Sequence, residues 1–234
     1  MAADGASTDR TATVRPRILV FFDYACQFCY LDWPRLVRLR EAHDADLFLI
    51  PFELRPQLSE AGISVDELGG HHSERVVEHM KRMAAEGGLR LSFPSFVPNT
   101  HLALALGEYA RDIDEPTHER VHEAIFSAYN ADERDIGSLD VVRGIAASQG
   151  LNVDEVTAAL AEGRYDERLH QFYHFALSVG VSATPAAVIC NELLLGTRPY
   201  EVLEESMRRC LVTEADLEAR PDAGQDPLEE TVVS

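Results

Sequence analysis

Two cysteines that lie two residues apart, Cys26 and Cys29, carry the clearest chemical signal in this sequence. A thiolate rather than a thiol attacks a disulfide, and a free cysteine has a pKa of about 8.5, so its charge must be stabilised near neutral pH. Unpaired N–H groups and the dipole at the start of a helix would stabilise a thiolate at Cys26. Cys29, one turn further along, could then resolve a mixed disulfide by reaching back to Cys26. The spacing therefore indicates thiol–disulfide exchange.

Two other uses of such a pair stay open at this stage. A CxxC pair can supply half of a zinc site, which generally needs a second pair of ligands at matching spacing. The other two cysteines, Cys190 and Cys210, are too far apart in sequence to form that second pair. The pair could also be inert and buried, although a CxxC that follows a strand in a βαβ context favours redox chemistry.

Cys190 and Cys210 lie at the end of an apolar run and near the end of the last predicted helix. We expect both to be small residues of the core. A regulatory disulfide between them is an alternative, because such a bond requires a Cα–Cα separation of roughly 4.4 to 6.8 Å that sequence alone cannot establish.

The segment HERVH, residues 118–122, matches the HExxH pattern of zinc proteases. Two histidines four residues apart share one face of a helix, and Glu119 could act as a base. Arg120, however, places a positive charge between the two histidines, and no third ligand is evident downstream. We therefore expect an ordinary helix here and no metal site.

The elements around Cys26 follow a strand–helix–strand order. The run RILVFFD (17–23) is continuously apolar, which is typical of a strand buried on both faces. A helical pattern follows from Cys26 to about His43, and DLFLIPFEL (46–54) predicts a second strand. This order within so short a stretch indicates a right-handed βαβ unit.

The middle of the chain is predicted to be helical, and its end returns to strands. Ser64 and Glu67 form a capping box, from which a helix could run to Gly87–Gly88. Two short apolar runs, TPAAVIC and LLLG, are separated by Asn191–Glu192 and predict an antiparallel hairpin. A helix from Tyr200 to about Leu211 is expected to close the fold.

Composition argues against some classes of partner. The chain has 21 basic and 40 acidic residues among 234, which gives a formal net charge of -19. Nucleic-acid surfaces need clustered Lys and Arg, and anionic lipid attracts basic segments, so neither nucleic acid nor membrane is an expected partner. Lys81 is the only lysine, which fits either a halophilic cytosol or a genome that prefers Arg codons.

The sequence also suggests a location. No apolar run approaches the roughly 20 residues of a membrane span, and the N-terminus lacks the apolar region of a secretory signal. Four cysteines in a chain of this length do not make a disulfide scaffold. We therefore expect a cytoplasmic protein, with residues 1–14 as a disordered arm and residues 213–234 as an acidic disordered tail.

The whole layout resembles the thioredoxin superfamily, with CxxC after the first strand, Thr184–Pro185 beginning a late hairpin strand, and a closing helix. Pro34 matches the kink proline of the thioredoxin active-site helix. The segments FDYACQFCYLDWPRL, NTHLALALGEYA and GVSATPAAVI are similar to the FrnE-like intracellular branch of the DsbA family. The resemblance covers roughly residues 16 to 211.

This resemblance implies an α/β thioredoxin fold, βαβ…ββα, with a large all-helical insertion. The N-terminal half of the thioredoxin fold would span residues 15–56, the insertion residues 57–163, and the C-terminal half residues 164–212.

The resemblance also implies roles for particular residues. Cys26 would be the nucleophile and Cys29 the resolving cysteine, while Thr184–Pro185 would form a cis-proline loop that faces Cys26 and binds substrate together with Gln27 and Phe28. No cofactor beyond the redox-active disulfide and no metal is implied. The partners would be protein or low-molecular-weight thiols and disulfides, with glutathione as one thiol partner. Gln27 stands where many relatives carry proline, which leaves the direction of exchange open.

Two competing functions are kept. The first is that of the 2-hydroxychromene-2-carboxylate isomerase and kappa glutathione transferase branch, which NTHLALAL also resembles. A serine usually stands at the nucleophile position in that branch, so Cys26 with a second cysteine argues against it. The second is a non-catalytic binding protein or chaperone on a thioredoxin scaffold, which would keep its partner binding after Cys26→Ser.

Overall fold

The computed structural model describes residues 15–70 and 72–218. The predicted arm, residues 1–14, lies outside the described residues, as does the part of the predicted tail from residue 219 onward. The expectation that these segments are disordered stays a prediction.

A four-stranded sheet forms the centre of the molecule. Its strands are β1 (Arg17–Phe22), β2 (Asp46–Pro51), β5 (Ala186–Ile189) and β6 (Glu192–Leu195). They lie side by side in the order β2-β1-β5-β6. β1 pairs in parallel with β2 and antiparallel with β5, and β6 pairs antiparallel with β5. The predicted strand–helix–strand unit and the predicted hairpin are therefore both present, and they meet along β1.

Helix α1 (Gln27–His43) connects β1 to β2. Cys26 is its N-cap residue, with extended backbone angles, and Asp44 ends it in the left-handed conformation. Pro34 lies inside the helix. The helix buries one side against the core through Leu31, Trp33, Leu36 and Leu39.

Between β2 and β5 the chain is mostly helical. Its helices are α2 (Glu74–Gly87), α3 (His101–Arg111), α4 (Glu115–Asn130), α5 (Leu139–Ser148), α6 (Val153–Ala161) and α7 (Asp166–Ser178). A two-stranded ribbon, β3 (Ile63–Ser64) with β4 (Phe96–Val97), lies before and after α2. The predicted fold class, a thioredoxin fold with a helical insertion, is confirmed, whereas the exact domain boundaries stay predictions.

The first insertion helix begins later than the capping box predicts. The Glu67 carboxylate does accept a hydrogen bond from the Ser64 backbone N–H at 3.1 Å, but the residues that follow form only a short 3₁₀ turn, Asp66–Leu68. Gly69 and Gly70 then adopt φ values of 103° and 90°, which a helix cannot continue through. The box therefore caps this turn and not α2.

Two apolar layers cover the sheet, one on each face. Ile18, Val20 and Phe22 of β1 point into the larger cluster, which also contains residues of α1, α3 and α4. Phe21 points the other way, into a smaller cluster with Ala176 of α7. Because alternate side chains of a strand face opposite sides of a sheet, both sets are buried, as the continuous apolar run predicts.

The closing helix α8 (Tyr200–Glu218) is longer than predicted. Leu203 and Met207 anchor it, with 3% and 0% of their surfaces exposed. Residues 212–218 are acidic, but four of these seven residues are Ala, Leu or Glu, which are good helix formers. Acidic composition alone is therefore a poor sign of where this helix ends.

Asp32 of α1 is a buried carboxyl whose charge destabilises the fold. It is 6% exposed, and its partner is Arg35, at 3.4 Å. Burial raises the pKa of Asp32 to about 7, against the opposing effect of Arg35. Because the pKa of the folded state lies above the unfolded value near 4, the ionised carboxylate costs stability, and this cost grows as the pH rises from about 4 to 7.

We therefore expect Asp32→Asn to stabilise the protein by about 2 to 4 kcal/mol at pH 8, and by less at pH 5. Arg35 keeps Glu86 as a partner at 2.8 Å in this variant. Urea unfolding at the two pH values measures the difference. A gain in the free energy of unfolding that is equal at both pH values would contradict the expectation, and so would a variant that is less stable than the wild type at pH 8.

Candidate functional site

Cys26 lies between the end of β1 and the first turn of α1. Its backbone N–H donates to the carbonyl oxygen of Asp23 at 3.0 Å, and its own carbonyl accepts from the N–H of Cys29 at 3.0 Å. The residue as a whole is partly exposed. No acidic residue occupies the first turn of α1, so nothing there offsets the positive end of the helix dipole.

The two thiols have opposite ionisation tendencies. A hydrogen bond from the Cys29 thiol is the largest cause that lowers the pKa of Cys26, and it outweighs the effect of burial. Burial raises the pKa of Cys29 well above its ordinary value, and the neighbouring Cys26 raises it further. Cys29 is only 5% exposed. The arrangement therefore favours a thiolate at Cys26 and a protonated thiol at Cys29.

The Thr184–Pro185 segment lies directly against Cys26. The Cys26 thiol donates to the carbonyl oxygen of Thr184 at 3.5 Å, and the Thr184–Pro185 peptide bond is cis. The Thr184 hydroxyl is buried and has no hydrogen-bond partner among the described residues. The neighbouring Thr184 side chain also lowers the pKa of Cys26.

Gln27 and Phe28, the residues between the cysteines, are both partly buried. The Gln27 side-chain amide donates to the carbonyl oxygen of Ser92 at 2.8 Å, which joins the CxxC turn to the segment before β4. The Phe28 ring meets the ring of His72 edge-on, with 6.1 Å between centroids. Pro185 is buried, whereas Ser182 and Ala183 just before the cis bond are exposed. These positions are consistent with the predicted substrate-binding roles but do not test them.

Asp23 is a residue of the site that the sequence analysis missed. Its carboxylate is 1% exposed and accepts hydrogen bonds from the N–H of Ala25 at 2.9 Å, the N–H of Leu54 at 2.7 Å and the Thr100 hydroxyl at 3.2 Å. Burial raises its pKa to about 6, although these three hydrogen bonds lower it. The sequence offered one signal for this residue, which is an acidic side chain at the end of a strand that is predicted to be buried on both faces.

A second acidic group lies close to Asp23. The Glu53 carboxylate raises the pKa of Asp23 through its negative charge. Glu53 is itself held by His101, whose Nδ1 lies 3.2 Å away, while Nε2 of the same ring lies 3.1 Å from Asp166. Contact with Glu53 is the largest cause that raises the pKa of His101, to about 9. The region behind the cysteines is therefore an ionisable network rather than a purely apolar core.

Both histidines of the HExxH match lie on the buried face of α4. His122 is 1% exposed, and its Nδ1 lies 3.2 Å from the Tyr24 hydroxyl. His118 is 5% exposed, and burial lowers its pKa to about 3. Glu119 forms an ion pair with Arg40 of α1. Over the described ranges, no three His, Cys, Asp or Glu side chains converge as a metal site would require.

Cys210 is buried in the core, as predicted, whereas Cys190 is only partly buried. The two cysteines are not unpaired, and the alternative prediction of a disulfide is the correct one. They form a disulfide with a Cα–Cα separation of 5.9 Å. Cys190 lies in the turn between β5 and β6 rather than in a strand, and Cys210 lies on α8. The two residues are distant along the chain, and only the packing of α8 on the hairpin brings them together.

Residues 17–208 match the model of the DSBA-like thioredoxin domain family. An uncharacterised protein of Bacillus subtilis, YwbO, is 24% identical over 193 residues, which are 81% of this chain and 94% of that protein. Within the part of the chain that the structure describes, no helix is long and apolar enough to span a bilayer.

Solved structures show the same fold. A probable DsbA oxidoreductase from Streptomyces coelicolor is 22% identical, with a TM-score of 0.77, and the match covers 91% of this chain and 95% of that one. A 2-hydroxychromene-2-carboxylate isomerase is 19% identical, with a TM-score of 0.69 over 86% and 98% of the two chains. The cytosolic disulfide reductase DsbM from Pseudomonas aeruginosa is 16% identical, with a TM-score of 0.59 over 86% and 99%. Because the family model spans most of its length, the chain belongs to the DSBA-like thioredoxin domain family.

Proposed function

We propose that this protein is a thiol–disulfide oxidoreductase that uses Cys26 and Cys29 to exchange disulfides with protein or low-molecular-weight thiols. The observation that carries this proposal is the asymmetry of the pair. Cys26 is partly exposed at a helix N-terminus with a lowered pKa, whereas Cys29 is buried with a raised pKa. A nucleophile must be accessible and ionised, and a resolving thiol must be shielded until the first step is complete.

The reaction follows from these positions. The Cys26 thiolate attacks one sulfur of a substrate disulfide, a new S–S bond forms, and the substrate's other sulfur leaves as a thiolate. Cys29 then loses its proton and attacks the Cys26 sulfur, which releases the second substrate thiolate. Two electrons pass from the protein pair to the substrate, and the reverse sequence oxidises a substrate dithiol.

The Thr184–Pro185 segment would hold the substrate chain in this scheme. Its position against Cys26, with exposed Ser182 and Ala183 beside it, supports the binding of an extended chain next to the nucleophile. The likeness to the cytosolic reductase DsbM and the FrnE-like sequence segments support action in the cytoplasm.

The equilibrium reduction potential of the Cys26–Cys29 pair tests the proposal. We would measure it by glutathione redox titration with intact-mass readout, in a variant with Cys190 and Cys210 replaced by serine so that only one pair responds. A potential near that of thioredoxin, about -270 mV, would define a reductase, and one near that of DsbA, about -120 mV, would define an oxidase. If no intramolecular disulfide forms at any glutathione ratio, the proposal fails.

A glutathione-dependent isomerase or transferase is the second candidate, supported by the structural likeness to 2-hydroxychromene-2-carboxylate isomerase. Such an enzyme would need only the residue at position 26 and would bind glutathione without forming an internal disulfide. A glutathione-dependent rate that survives Cys29→Ser would favour it over the oxidoreductase.

A further inference from the structure

We propose that Cys190 and Cys210 form a second redox site, which low-molecular-weight thiols reduce and low-molecular-weight disulfides reoxidise while the protein stays folded. This proposal goes beyond the function of Cys26 and Cys29 and does not depend on it. It rests on where the second pair lies, on what else holds α8, and on which of the two cysteines is more exposed.

The second pair joins two elements that close the fold. Cys190 and Asn191 form the two-residue turn between β5 and β6, and Cys210 lies on the last described helix, α8. The Cα atoms are 5.9 Å apart, a separation at which a disulfide forms without backbone movement. Cys190 has a φ of 54°, a left-handed conformation that turns usually assign to Gly or Asn. A cysteine at this turn position is therefore explained by its bond to α8 and not by backbone preference.

The two cysteine pairs lie at opposite ends of the central strand. The Cys190 N–H donates to the carbonyl oxygen of Arg17, the first residue of β1, at 3.0 Å. Cys26 follows the last residue of that strand, Phe22, so the length of β1, roughly 20 Å at about 3.3 Å per residue, separates the two sites. Direct exchange between the pairs within one molecule is thus excluded by distance. The second pair must exchange electrons with thiols from solution.

Contacts other than the bond between Cys190 and Cys210 also hold α8 in place. Leu203 and Met207 bury α8 in the main core. Arg209, next to Cys210, forms an ion pair with Glu192 of β6, and the Arg38 guanidinium of α1 lies 3.8 Å from the centre of the Tyr200 ring at the start of α8. These contacts to the core, to β6 and to α1 do not involve the disulfide, and we expect them to keep the protein folded in both redox states.

Exposure decides how the bond is cleaved. Cys210 is 5% exposed, whereas Cys190 is only partly buried, so an external thiolate attacks the sulfur of Cys190. The Cys190–Cys210 bond breaks, and Cys210 leaves as a thiolate and takes up a proton. A second external thiol then attacks the sulfur that the first external thiol contributed to this mixed disulfide, and Cys190 is released as a thiol. Two thiols are oxidised to one disulfide, and the protein gains two electrons and two protons.

Reduction should lower thermal stability without unfolding the protein. The bond closes a loop with a sequence separation of 20 residues, and the removal of such a cross-link gives the unfolded chain more freedom. For a chain of this size we expect the melting temperature to fall by about 5 to 10 °C.

The test uses the full-length chain with Cys26 and Cys29 replaced by serine, so that it does not involve the proposed active site. The variant is equilibrated without denaturant at a series of ratios of reduced to oxidised glutathione, alkylated and weighed, and its melting temperature is measured at each ratio. We expect one reversible two-electron transition, and a melting temperature that falls along the same curve. The matched control adds Cys190→Ser and should melt at the reduced value at every ratio.

Two results would overturn the proposal. If the bond resists a large excess of thiol until denaturant is added, it is a fixed structural cross-link and not a redox site. If Cys190 and Cys210 remain thiols at every ratio, no disulfide operates there. Neither result would touch the proposal for Cys26 and Cys29, which is tested in the complementary variant.

Discussion

Replacement of Cys26 by serine is expected to slow the reduction of a disulfide peptide by at least about 1,000-fold, to the background of the assay. Cys26 is the more exposed of the two active-site cysteines and the one that is favoured as a thiolate. A serine hydroxyl at the same helix N-cap keeps the backbone geometry but cannot serve as a thiolate nucleophile. The measurement is a single turnover of proteins in which Cys190 and Cys210 are also replaced by serine, so that only the active-site thiols can react. Each reduced protein is mixed with a disulfide peptide, quenched by acid and weighed.

Cys29→Ser should fail at the next step rather than at the first. Cys26 still attacks, but the buried thiol that would resolve the adduct is absent, so a covalent complex of the protein with half of the peptide should accumulate. The mass spectrum then distinguishes the three proteins. The protein with both active-site cysteines loses two hydrogens, Cys29→Ser gains one half of the peptide, and Cys26→Ser is unchanged.

The protein that lacks only Cys190 and Cys210 is the matched control for these two variants, because it keeps both active-site cysteines and should turn over like the wild type. Turnover by Cys26→Ser at a wild-type rate would contradict the assignment of the nucleophile. Release of both halves of the peptide by Cys29→Ser would contradict the assignment of the resolving cysteine and would favour the glutathione-dependent candidate.

Local patterns in the sequence predict the sheet and the helix that carry the cysteines. The apolar run before Cys26 has no alternation, which is the pattern of a strand covered on both faces, and the structure places Phe21 and Phe22 in different apolar layers. The hairpin is equally local, since its two runs are separated by only two residues. Features of this kind depend on residues that are close together along the chain, so a single sequence is enough to predict them.

The parts that were missed depend on contacts between distant residues. Cys190 and Cys210 meet only because α8 packs on the hairpin. No pattern of residue spacing in the sequence predicts that contact. Asp23 becomes a buried acid only when the chain after β2 brings the N–H of Leu54 to it and the start of α3 brings Thr100. The sequence shows an Asp at the end of a strand, but it does not show the three hydrogen-bond donors that contact the buried carboxylate.

Asp23 is expected to accept the proton that Cys29 must lose before it attacks the mixed disulfide. Cys29 has a raised pKa and therefore needs a base. Asp23 lies just before the CxxC turn, and its carbonyl oxygen accepts the Cys26 N–H. Burial raises the pKa of the Asp23 carboxyl to about 6, so the group is ionised at neutral pH and still has some affinity for a proton.

We expect Asp23→Asn to slow the resolution of a Cys26 mixed disulfide by about 100-fold at pH 7.5 and to leave the first attack within about threefold of the wild type. A slower rate alone does not identify a base, and the pH profile is therefore the decisive measurement.

The pH profile separates a proton acceptor from a merely structural carboxylate. In the wild type, the resolution rate should fall as the pH drops through about 6, where Asp23 becomes protonated. Thr100→Val keeps the carboxyl but removes a hydrogen bond that lowers its pKa, so the inflection should move to higher pH. Asp23→Asn should have no inflection in this range. An inflection near pH 6 that persists in Asp23→Asn, or one that does not move in Thr100→Val, would assign the proton transfer to another group.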